Sequence, residues 1–447
     1  MESIWTAETK IREREALPGD MEVDAVVIGA GMAGVLSAYY LHKEGVRTVV
    51  LEADRIGSGQ TKNTTAKITS QHGILYDRII QTMGTRKAFA YAWANEEAID
   101  EYERLILEKG IDCDFTRCPS YLYSRTKENP LRREAVAAAK AGINASFETE
   151  CELPFAVAGA VRFEKQARFD PLKFLASMAE EVTVYEKTRV HRVVDNRVET
   201  DRGCVTARHI IFASHFPFVN VPGFYFARMY QERSYVVALE GAEKMEGMYM
   251  GIDRDRLSFR SQGDLLLLGG ARHRTGANRK GGQYEMLRSQ AQELYPGCHE
   301  TAHWSAQDCM TLDGLPYVGR FSERRPGWYV ATGFGKWGMS MSMASAGIIS
   351  ALILEKKSPV AYAFSPQREF SPRMDRLFSH VVYTLQGMTK HLLPSGQKVF
   401  VPNCPHMGCR LEWNPEEETW DCPCHGSRFD QEGRLIDDPA KKDCRRR

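Results

Sequence analysis

Two short motifs near the C-terminus, each pairing a cysteine with a histidine, constrain the fold of this chain more than any other feature. Cys404 and His406 form a Cys-x-His pair, and Cys422 and His425 form a Cys-x-x-His pair one short hairpin later. Two facing loops of this kind can place two thiolates on one iron and two imidazoles on a second iron. The pattern therefore predicts a [2Fe-2S] cluster with the two cysteines on the first iron and the two histidines on the second.

The sequence around these ligands resembles that of Rieske proteins from respiratory cytochrome bc complexes. In that family the other two cysteines of the motif form a disulfide between the cluster loops, which implies a Cys409–Cys424 bridge here. Ser427 fits the resemblance, because a hydroxyl after the second ligand pair can donate a hydrogen bond to a bridging sulfide and raise the reduction potential. A structural zinc site is the alternative, since Cys and His at short spacings also suit tetrahedral zinc, although zinc pairs rarely combine these two spacings.

Two positions depart from the Rieske pattern. High-potential members usually carry a tyrosine two residues after the serine, and Phe429 stands there in this chain. In the segment that matches the proline loop over the cluster, Asp438 replaces the usual glycine. Because Phe429 has no hydroxyl to donate to a ligand sulfur, we predict a reduction potential below that of the respiratory relatives.

The composition excludes several classes of protein. A chain of 447 residues suits two or three domains, and 59 Lys and Arg against 58 Asp and Glu leave no strong field to select nucleic acid or anionic lipid. Hydrophobic residues make up 43% of the chain, without an uninterrupted run near the ~20 residues that a spanning helix needs. With a charged N-terminus that lacks an apolar signal segment, this predicts a soluble, cytoplasmic protein with no transmembrane segment.

A complete βαβ nucleotide-binding pattern lies near the N-terminus. A β-branched run over residues 24–28 leads into Gly29, Gly31 and Gly34, a helical pattern follows, and a second strand ends at Glu52. The glycines permit a tight turn and the close approach of a pyrophosphate, while the helix N-terminus supplies amide donors and a positive dipole. Glu52 can accept hydrogen bonds from ribose hydroxyls. The strand, the glycine turn with its helix, the second strand and this terminal acid occur in the expected order and together predict a dinucleotide site.

The segment after this pattern resembles FAD-dependent oxidoreductases of the D-amino acid oxidase and glycine oxidase (DAO) type. In that family the stretch equivalent to residues 55–73 passes along the ribityl chain and reaches the flavin ring, which implies FAD contacts from Thr65 and Lys67. As a fixed cation, Lys67 would stabilise anionic reduced flavin, and a solvated lysine is the alternative. The resemblance also implies an adenine contact from the backbone of Val190.

A second glycine pattern, formed by Gly333, Gly335 and Gly338, is not interpreted as a second nucleotide site. An NAD(P) fingerprint would place a strand ending in an acid about twenty residues after the glycines, whereas here the helical pattern still continues at Glu355. We interpret it as a helix N-terminus whose amides near Gly338 and Met339 offset negative charge on the pyrimidine of reduced flavin. The sequence thus predicts one nucleotide site, for FAD, and no NADH domain.

Two further positions are candidates for the flavin and substrate sites. Asp313 opens an Asp-Gly-x-Pro-x-x-Gly element that resembles the same flavoprotein family, which implies a role in cofactor binding. Arg272 follows the apolar run 265–270 and could clamp a substrate carboxylate, with a surface basic residue as the alternative. Lys67 and Arg272 are the candidate catalytic residues, and the sequence assigns no side chain to the chemical step.

Together these patterns predict an α/β fold with four parts. We expect an N-terminal arm (1–20), a Rossmann-like FAD-binding domain (21–357) with an inserted mixed or antiparallel substrate lobe (roughly 91–150 and 236–300), a linker (358–376) and a small all-β Rieske domain (377–447). Strands are predicted at 381–385 and 398–401. Because so little chain precedes Cys404, the usual base of the Rieske domain must be trimmed or completed by the flavin domain.

The first functional hypothesis is a dehydrogenase that oxidises a small amine or amino acid at the flavin and passes electrons singly through the cluster to a one-electron acceptor protein or a quinone. We expect the electrons to leave at His406 or His425, exposed at the cluster tip. One alternative is an oxidase that returns electrons to oxygen and uses the Rieske domain structurally. Another is a non-metabolic electron-transfer or redox-sensing module.

Overall fold

The computed structural model describes residues 2–389 and 401–444. Its helices are α1 (Ile4–Glu8), α2 (Met32–Lys43), α3 (Tyr76–Met83), α4 (Thr85–Lys109), α5 (Asn129–Lys140), α6 (Pro171–Ala179), α7 (Gln283–Leu294), α8 (Gly338–Ile353), α9 (Ala361–Phe364) and α10 (Met374–Thr389), with 3-10 turns at Gln60–Asn63 and Tyr225–Ala227.

The strands form three sheets. They are β1 (Met21–Ile28), β2 (Thr48–Leu51), β3 (Lys67–Ile68), β4 (Thr116–Ser124), β5 (Ala145–Glu148), β6 (Gly159–Arg168), β7 (Thr183–Tyr185), β8 (Val190–Val194), β9 (Arg197–Thr200), β10 (Cys204–Phe212), β11 (Met229–Glu240), β12 (Met248–Gly251), β13 (Ser258–Gln262), β14 (Leu265–Arg274), β15 (His299–Thr311), β16 (Tyr317–Ser322), β17 (Arg325–Thr332), β18 (Glu412–Asn414), β19 (Thr419–Asp421), β20 (Arg428–Phe429) and β21 (Leu435–Asp437).

The first sheet is built around β1. Its order is β16-β17-β10-β1-β2-β7, with β1 parallel to β2 and β10, while β8 and β9 form a hairpin that joins β10. Ala25 and Val27 face one hydrophobic core with α2 and α8, and Val26 and Ile28 face the other. Both faces are covered, which explains why β1 is a continuous apolar run rather than an alternating one.

The second sheet forms the roof of the flavin domain. Its order is β15-β11-β14-β13-β12-β4-β6-β3, with β5 on β6, and its pairs are antiparallel except for the parallel pair β12–β4. The predicted fold class, a Rossmann-like α/β domain with an inserted mixed sheet, is confirmed by this arrangement.

The C-terminal domain contains a small antiparallel sheet in the order β18-β19-β20-β21. The strand predicted at 381–385 is wrong, because these residues lie inside α10. His380 and Gly387 are the buried positions of α10 and lie two helical turns apart, so burial follows the helical period despite the β-branched run between them. Of the strand predicted at 398–401, residues 398–400 lie outside the described residues, and Val401 is not in a strand.

Within the described ranges, no helix combines the length and the apolar character that a membrane crossing requires.

Candidate cofactor sites

The turn between β1 and α2 is shaped by its glycines. A Cβ on Gly29 would lie 2.7 Å from the carbonyl oxygen of Ala213, and a Cβ on Gly34 would overlap the carbonyl oxygen of Gly29. Gly31 precedes α2 without a side-chain cap, and the first amide of the helix, that of Met32, donates to Thr61 Oγ1 (3.1 Å). The Glu52 carboxylate accepts from the amides of Ala30 (2.7 Å) and Asp54 (2.9 Å), which fixes it at the end of β2.

This turn lies at the wall of a cavity of about 1510 Å³. That volume exceeds the roughly 300–1,000 Å³ of an ordinary ligand site, so the cavity has room for a large cofactor and a substrate. Most residues predicted from sequence to bind FAD or substrate line it: Gly29, Gly31, Glu52, Thr65, Lys67, Val190, Arg272, Gly333, Gly335, Gly338 and Met339. The cradle of glycines and helix N-termini that line it fits a dinucleotide.

Two of the predicted residues do not line the cavity. Gly34 packs α2 against the turn, as its near-overlap with Gly29 shows. Asp313 is fully buried, and its carboxylate accepts from Arg368 at Nε (2.8 Å) and Nη2 (2.9 Å). The neighbouring Gly314 reaches the cavity instead, so Asp313 holds this loop in place through Arg368.

The N-terminus of α8 points its free amides at the same cavity. Gly333 and Gly335 adopt positive φ angles of 73° and 59°, which bend the chain between β17 and α8. Trp337 precedes the helix without a side-chain cap and stacks on His72 at 4.6 Å between ring centroids. Burial lowers the pKa of His72 to about 3, so this ring is neutral. Sequence reasoning gave no role to His72 or Trp337, because only the fold brings them together.

Lys67 is buried in the cavity wall. Its ammonium donates to the hydroxyl of Ser258 (2.6 Å) and to the carbonyl of Tyr249 (3.0 Å). Burial, with repulsion from Arg260, lowers the pKa of Lys67 to about 7. The amine is therefore only partly protonated near neutral pH in the cavity as it stands, and its contact with the flavin stays a prediction.

The two cluster loops have the same backbone pattern. The amide of Cys404 donates to Cys409 O (2.8 Å), and that of Cys422 donates to Ser427 O (2.8 Å). Cys404 and Cys422 are almost fully buried, and a hydrogen bond between their thiols raises the pKa of Cys404 and lowers that of Cys422. The two ligand sulfurs predicted for one iron thus lie side by side.

The two histidines complete the donor set. The rings of His406 and His425 are 5.0 Å apart, and the Nδ1 atom of each is buried without a hydrogen-bond partner in the described structure. Burial lowers the pKa of His406 to about 4 and that of His425 well below its usual value, so both are the neutral imidazoles that metals require. Two orphaned imidazole nitrogens beside two thiols fit a [2Fe-2S] cluster with mixed ligation.

Cys409 and Cys424 form the disulfide that the family resemblance implied. Their Cα atoms are 6.8 Å apart, and both residues are fully buried. Their sulfurs lie within 4.8 Å of the Cys422 sulfur, but because they are bonded to each other they are not available as metal ligands.

The cluster histidines do not form an exposed tip. His425 is 1% exposed and lies against Phe226, with 5.8 Å between ring centroids. His406 is half-buried, and its Nε2 lies 2.8 Å from Asn220 Oδ1. The expected exposure of His425 is therefore wrong, because Phe226 of the flavin domain packs on its ring, and the exit of electrons at either histidine stays a prediction.

A buried pair of glutamines connects the cavity to the second cluster loop. Gln307 lines the cavity, and its amide donates to Gly426 O (2.9 Å) and to Gln231 Oε1 (2.7 Å). Gln231 in turn donates to His425 O (2.8 Å). We call Gln231 and Gln307 the glutamine bridge; each is 1% exposed.

The C-terminal domain also forms part of the cavity wall. Arg428, Ile436, Asp437 and Asp438 are among its contributions, and Gln60 of the flavin domain donates to Asp437 Oδ1 (3.1 Å). The two predicted cofactor sites therefore share a boundary.

Two protein families match the chain in succession. Residues 24–352 match the family described as FAD dependent oxidoreductase (DAO), and residues 382–446 match the Rieske [2Fe-2S] domain. Both matches agree with the two sites described above.

Two relatives show how far each likeness extends. YhfW of Bacillus subtilis (strain 168), whose name describes a Rieske 2Fe-2S iron-sulfur protein, is 34% identical over 491 aligned positions covering 99% of this chain and 96% of its own. The cytochrome b6-f complex iron-sulfur subunit 2 of Trichormus variabilis is 48% identical over 42 residues, which are 9% of this chain and 24% of that protein.

Solved structures share the fold of the larger domain. Glycine oxidase from Geobacillus kaustophilus superposes with a TM-score of 0.66 at 20% identity, over 78% of this chain and 100% of its own. L-proline dehydrogenase from P. horikoshii gives 0.66 at 17% identity, over 79% of this chain and 98% of its own.

Proposed function

Since the chain belongs to the DAO family of FAD-dependent oxidoreductases and adds a Rieske [2Fe-2S] domain after it, we propose that it is a dehydrogenase with an internal outlet for electrons. A small amine or amino acid would be oxidised at the flavin, and the electrons would pass singly through the cluster to an acceptor protein or a quinone. FAD and the [2Fe-2S] cluster are its cofactors, which sets aside the zinc alternative. Its cytoplasmic location stays a prediction.

The proposal rests on one observation: the Rieske domain is part of the wall of the FAD cavity. The glutamine bridge runs from that wall to the loop that carries His425, through hydrogen bonds of 2.7–2.9 Å. The metal loop itself does not line the cavity; Gln307 lines it and donates a hydrogen bond to Gly426 O of that loop. A short hydrogen-bonded path from the cavity wall to the loop that carries His425 supports electron transfer between the two cofactors.

The chain's own residues supply positioning and charge. FAD, when bound, accepts a hydride from the substrate, and the cluster accepts one electron at a time. We propose that the N-terminus of α2 holds the pyrophosphate and that Glu52 holds the ribose. We further propose that the amides at Gly338 and Met339, with Lys67, offset negative charge on the pyrimidine side, and that Cys404, His406, Cys422 and His425 hold the cluster.

An anaerobic titration of the holoprotein with a panel of amines and amino acids tests the proposal. Visible absorption follows flavin bleaching, and low-temperature EPR follows the reduced cluster. We expect both signals to grow together, and a Cys404→Ser variant that lacks the cluster to bleach without an EPR signal. Bleaching with a cluster that stays oxidised in the native protein would instead favour the oxidase. No bleaching by any amine would favour the redox module.

The glutamine bridge gives a sharper test of the internal route. We expect Gln307→Leu to slow cluster reduction several-fold after a stopped-flow pulse of reducing substrate, while flavin reduction keeps its native rate. The exposed Gln367→Leu is the matched control and should change neither phase. Equal slowing of both phases by Gln307→Leu would mean that the side chain only supports the cavity.

A further inference from the structure

Five arginines gather at one part of the cavity wall. Arg78 lies in α3, Arg256 between β12 and β13, Arg272 in β14, Arg373 just before α10 and Arg376 within it. We call these five residues the arginine pocket. They come from the roof sheet, from α3 and from the connection to the Rieske domain, whereas the nucleotide end of the cavity is formed by the turns after β1 and β2.

Three members of the arginine pocket are fixed side by side by successive carbonyls. Arg376 Nη1 donates to Thr311 O (2.8 Å), and Arg78 Nη1 donates to Asp313 O (2.6 Å). Between them, the backbone amide of Arg373 donates to Leu312 O (2.9 Å). Each guanidinium has five N–H donors. These contacts use one donor each in Arg376 and Arg78, and Arg373 also donates from Nε and Nη2 to Asp375, so most donors remain available to a ligand.

The positive charge of the arginine pocket is only partly neutralised. Arg272 lies 3.9 Å from Glu232, and Arg373 lies 2.8 Å from the exposed Asp375. Within the described ranges, Arg256 has no ion pair. Its pKa falls to about 10, mainly because it is buried and also because Arg272, Arg373 and Arg376 repel it; attraction to Glu232 opposes the fall. Burial and repulsion from Arg376 and Arg373 lower the pKa of Arg78 to about 10 in the same way.

The neighbouring acids do not offset this surplus. Lys336 pairs with Asp308 and lies 3.9 Å from Glu232, so those two carboxylates already have a further cation. The five arginines and Lys336 thus face three carboxylates, those of Glu232, Asp308 and Asp375. This end of the cavity is separate from the N-terminus of α2, where we propose that the pyrophosphate binds. Gathered like charges in a protein wall are costly unless a ligand of opposite charge occupies the space between them.

We infer that the substrate is an amine carrying at least two anionic groups, carboxylates or a carboxylate and a phosphate, and that the arginine pocket binds the anionic group farther from the amine. The inference rests on the proposed function, because it names the substrate class of the same cavity. Guanidinium groups suit this task, since their planar forks match carboxylate and phosphate oxygens bidentately. A single carboxylate would need one such guanidinium group, not five.

Binding of redox-inert anions to the oxidised holoprotein tests the inference apart from turnover. Succinate and butyrate have the same number of carbons and differ by one carboxylate, and the flavin absorption spectrum reports occupancy. We expect succinate to bind at least about tenfold more tightly than butyrate and to lose affinity as salt is added. Equal affinities, or no spectral change with either anion, would overturn the inference.

Charge-removing variants locate the effect. We expect Arg256→Gln and Arg376→Gln each to weaken succinate binding about tenfold to a hundredfold while changing butyrate binding little. The exposed Arg202→Gln, outside the cavity, is the matched control and should leave both affinities unchanged. Parallel losses for succinate and butyrate in the two pocket variants would contradict a site for a second anionic group.

Matched amines separate this inference from the proposed function. We expect glutamate to reduce the flavin at lower concentration than glutamine, or O-phosphoserine at lower concentration than serine. The pair with the larger difference in concentration shows whether the second anionic group is a carboxylate or a phosphate. If succinate binds selectively but no amine reduces the flavin, the proposed function fails, and of the inference only the site for a second anionic group stands. If neutral-side-chain amines reduce the flavin with equal or lower KM, the inference fails and the proposed function stands.

Discussion

The hydroxyl of Ser427 contacts both the loop over the cluster site and a predicted ligand, Cys404. Its Oγ accepts from the amide of Ala440 in the loop over the cluster (2.9 Å). A hydrogen bond from Ser427 is also one of the influences that lower the pKa of Cys404, although the contact with Cys422 dominates and raises it. Because accepting from Ala440 leaves its proton free to donate, the hydroxyl can donate to the Cys404 sulfur.

We therefore expect Ser427→Ala to lower the reduction potential of the cluster. A donor near the sulfurs stabilises the more negative, reduced state, and a charge-assisted bond of this kind corresponds to roughly 60–120 mV for one electron. A redox titration followed by EPR measures it, with Ser427→Thr as the control that keeps the hydroxyl. A native potential within the range of the respiratory relatives would contradict the prediction made from Phe429.

Asp438 predicts a pH dependence of stability. Burial raises its pKa to about 7, with Arg189 opposing and Asp437 and Glu52 adding to the rise. The folded state then binds more protons than the unfolded state between about pH 4 and pH 7, so this group's contribution to stability is lost as pH rises through that window.

Asp438→Asn removes the titration. Because the Asp438 side chain keeps 27% of its surface exposed, we expect a gain of about 1–2 kcal/mol at pH 8 and almost none at pH 4. Thermal unfolding of the native and variant proteins at both pH values measures it. A difference in Tm that does not change with pH would show that the carboxyl is already ionised at low pH.

At the scale of elements, α10 is where sequence reasoning failed. Its β-branched and aromatic residues from Val381 to Tyr383 favour a strand locally. In the fold, Leu377 packs on the Tyr230 cluster and Met388 packs on the core of the cluster domain, and a helix satisfies both contacts. A tertiary contact at each end thus outweighs the local preference, and no local pattern reports such contacts.

By contrast, α2 and α8 could be predicted because their signals are local. Glycines must precede each helix for the turn to form, and the apolar strand before each helix is contiguous in sequence. The same holds for the cluster ligands, whose loops are short. What local patterns cannot supply is charge state, as the lowered pKa of Lys67 shows, because burial depends on strands distant in sequence.

Two glycines allow one substitution to be compared in two environments. A Cβ on Gly387 of α10 would lie 2.5 Å from the sulfur of Cys424, whereas a Cβ on Gly347 of α8 would meet no atom within 4 Å. We expect Gly387→Ala to destabilise the cluster domain by about 1–3 kcal/mol through overpacking. Gly347→Ala, the control, should stabilise the protein by about 0.5–1 kcal/mol.

Cluster absorbance during thermal unfolding reports the first effect, and overall unfolding reports the second. Equal changes for Gly387→Ala and Gly347→Ala would mean that α10 moves away from the disulfide at little cost.

At the scale of the whole molecule, the contacts between domains depend on strand pairing that the sequence does not reveal. Gln231 and Gln307 are 76 residues apart and become neighbours because β11 and β15 run antiparallel. Arg233, on the same strand as Gln231, pairs with Glu417 of the cluster domain with both side chains almost fully buried. His425 is covered by Phe226 from the 3-10 turn before β11, a contact between distant parts of the chain, which is why the predicted exposure of His425 was wrong.

The Arg233–Glu417 pair predicts how firmly the domains are joined. Arg233→Met leaves the buried Glu417 with Arg428 as its ion-pair partner (3.1 Å), beside hydrogen bonds from Ser305 and Asn414, so we expect a loss of about 3 kcal/mol in unfolding free energy. Adding Glu417→Gln should recover part of that loss, because the unpaired charge is then removed. The exposed Arg324→Met is the matched control.

Thermal unfolding of the single and double variants measures this coupling, and limited proteolysis between residues 358 and 376 reports whether the domains separate. A double variant that is as unstable as the sum of both single variants would show that the two side chains act independently.

Because the cluster domain closes one side of the FAD cavity, the maturation of this protein has a preferred order. A chain whose Rieske domain has docked presents FAD with a cavity already walled by Asp437 and Ile436. A chain still waiting for iron and sulfide, with its cluster loops unformed, leaves that side open. We therefore expect flavin to enter before the cluster domain docks, and chains made under iron limitation to hold FAD while lacking the cluster.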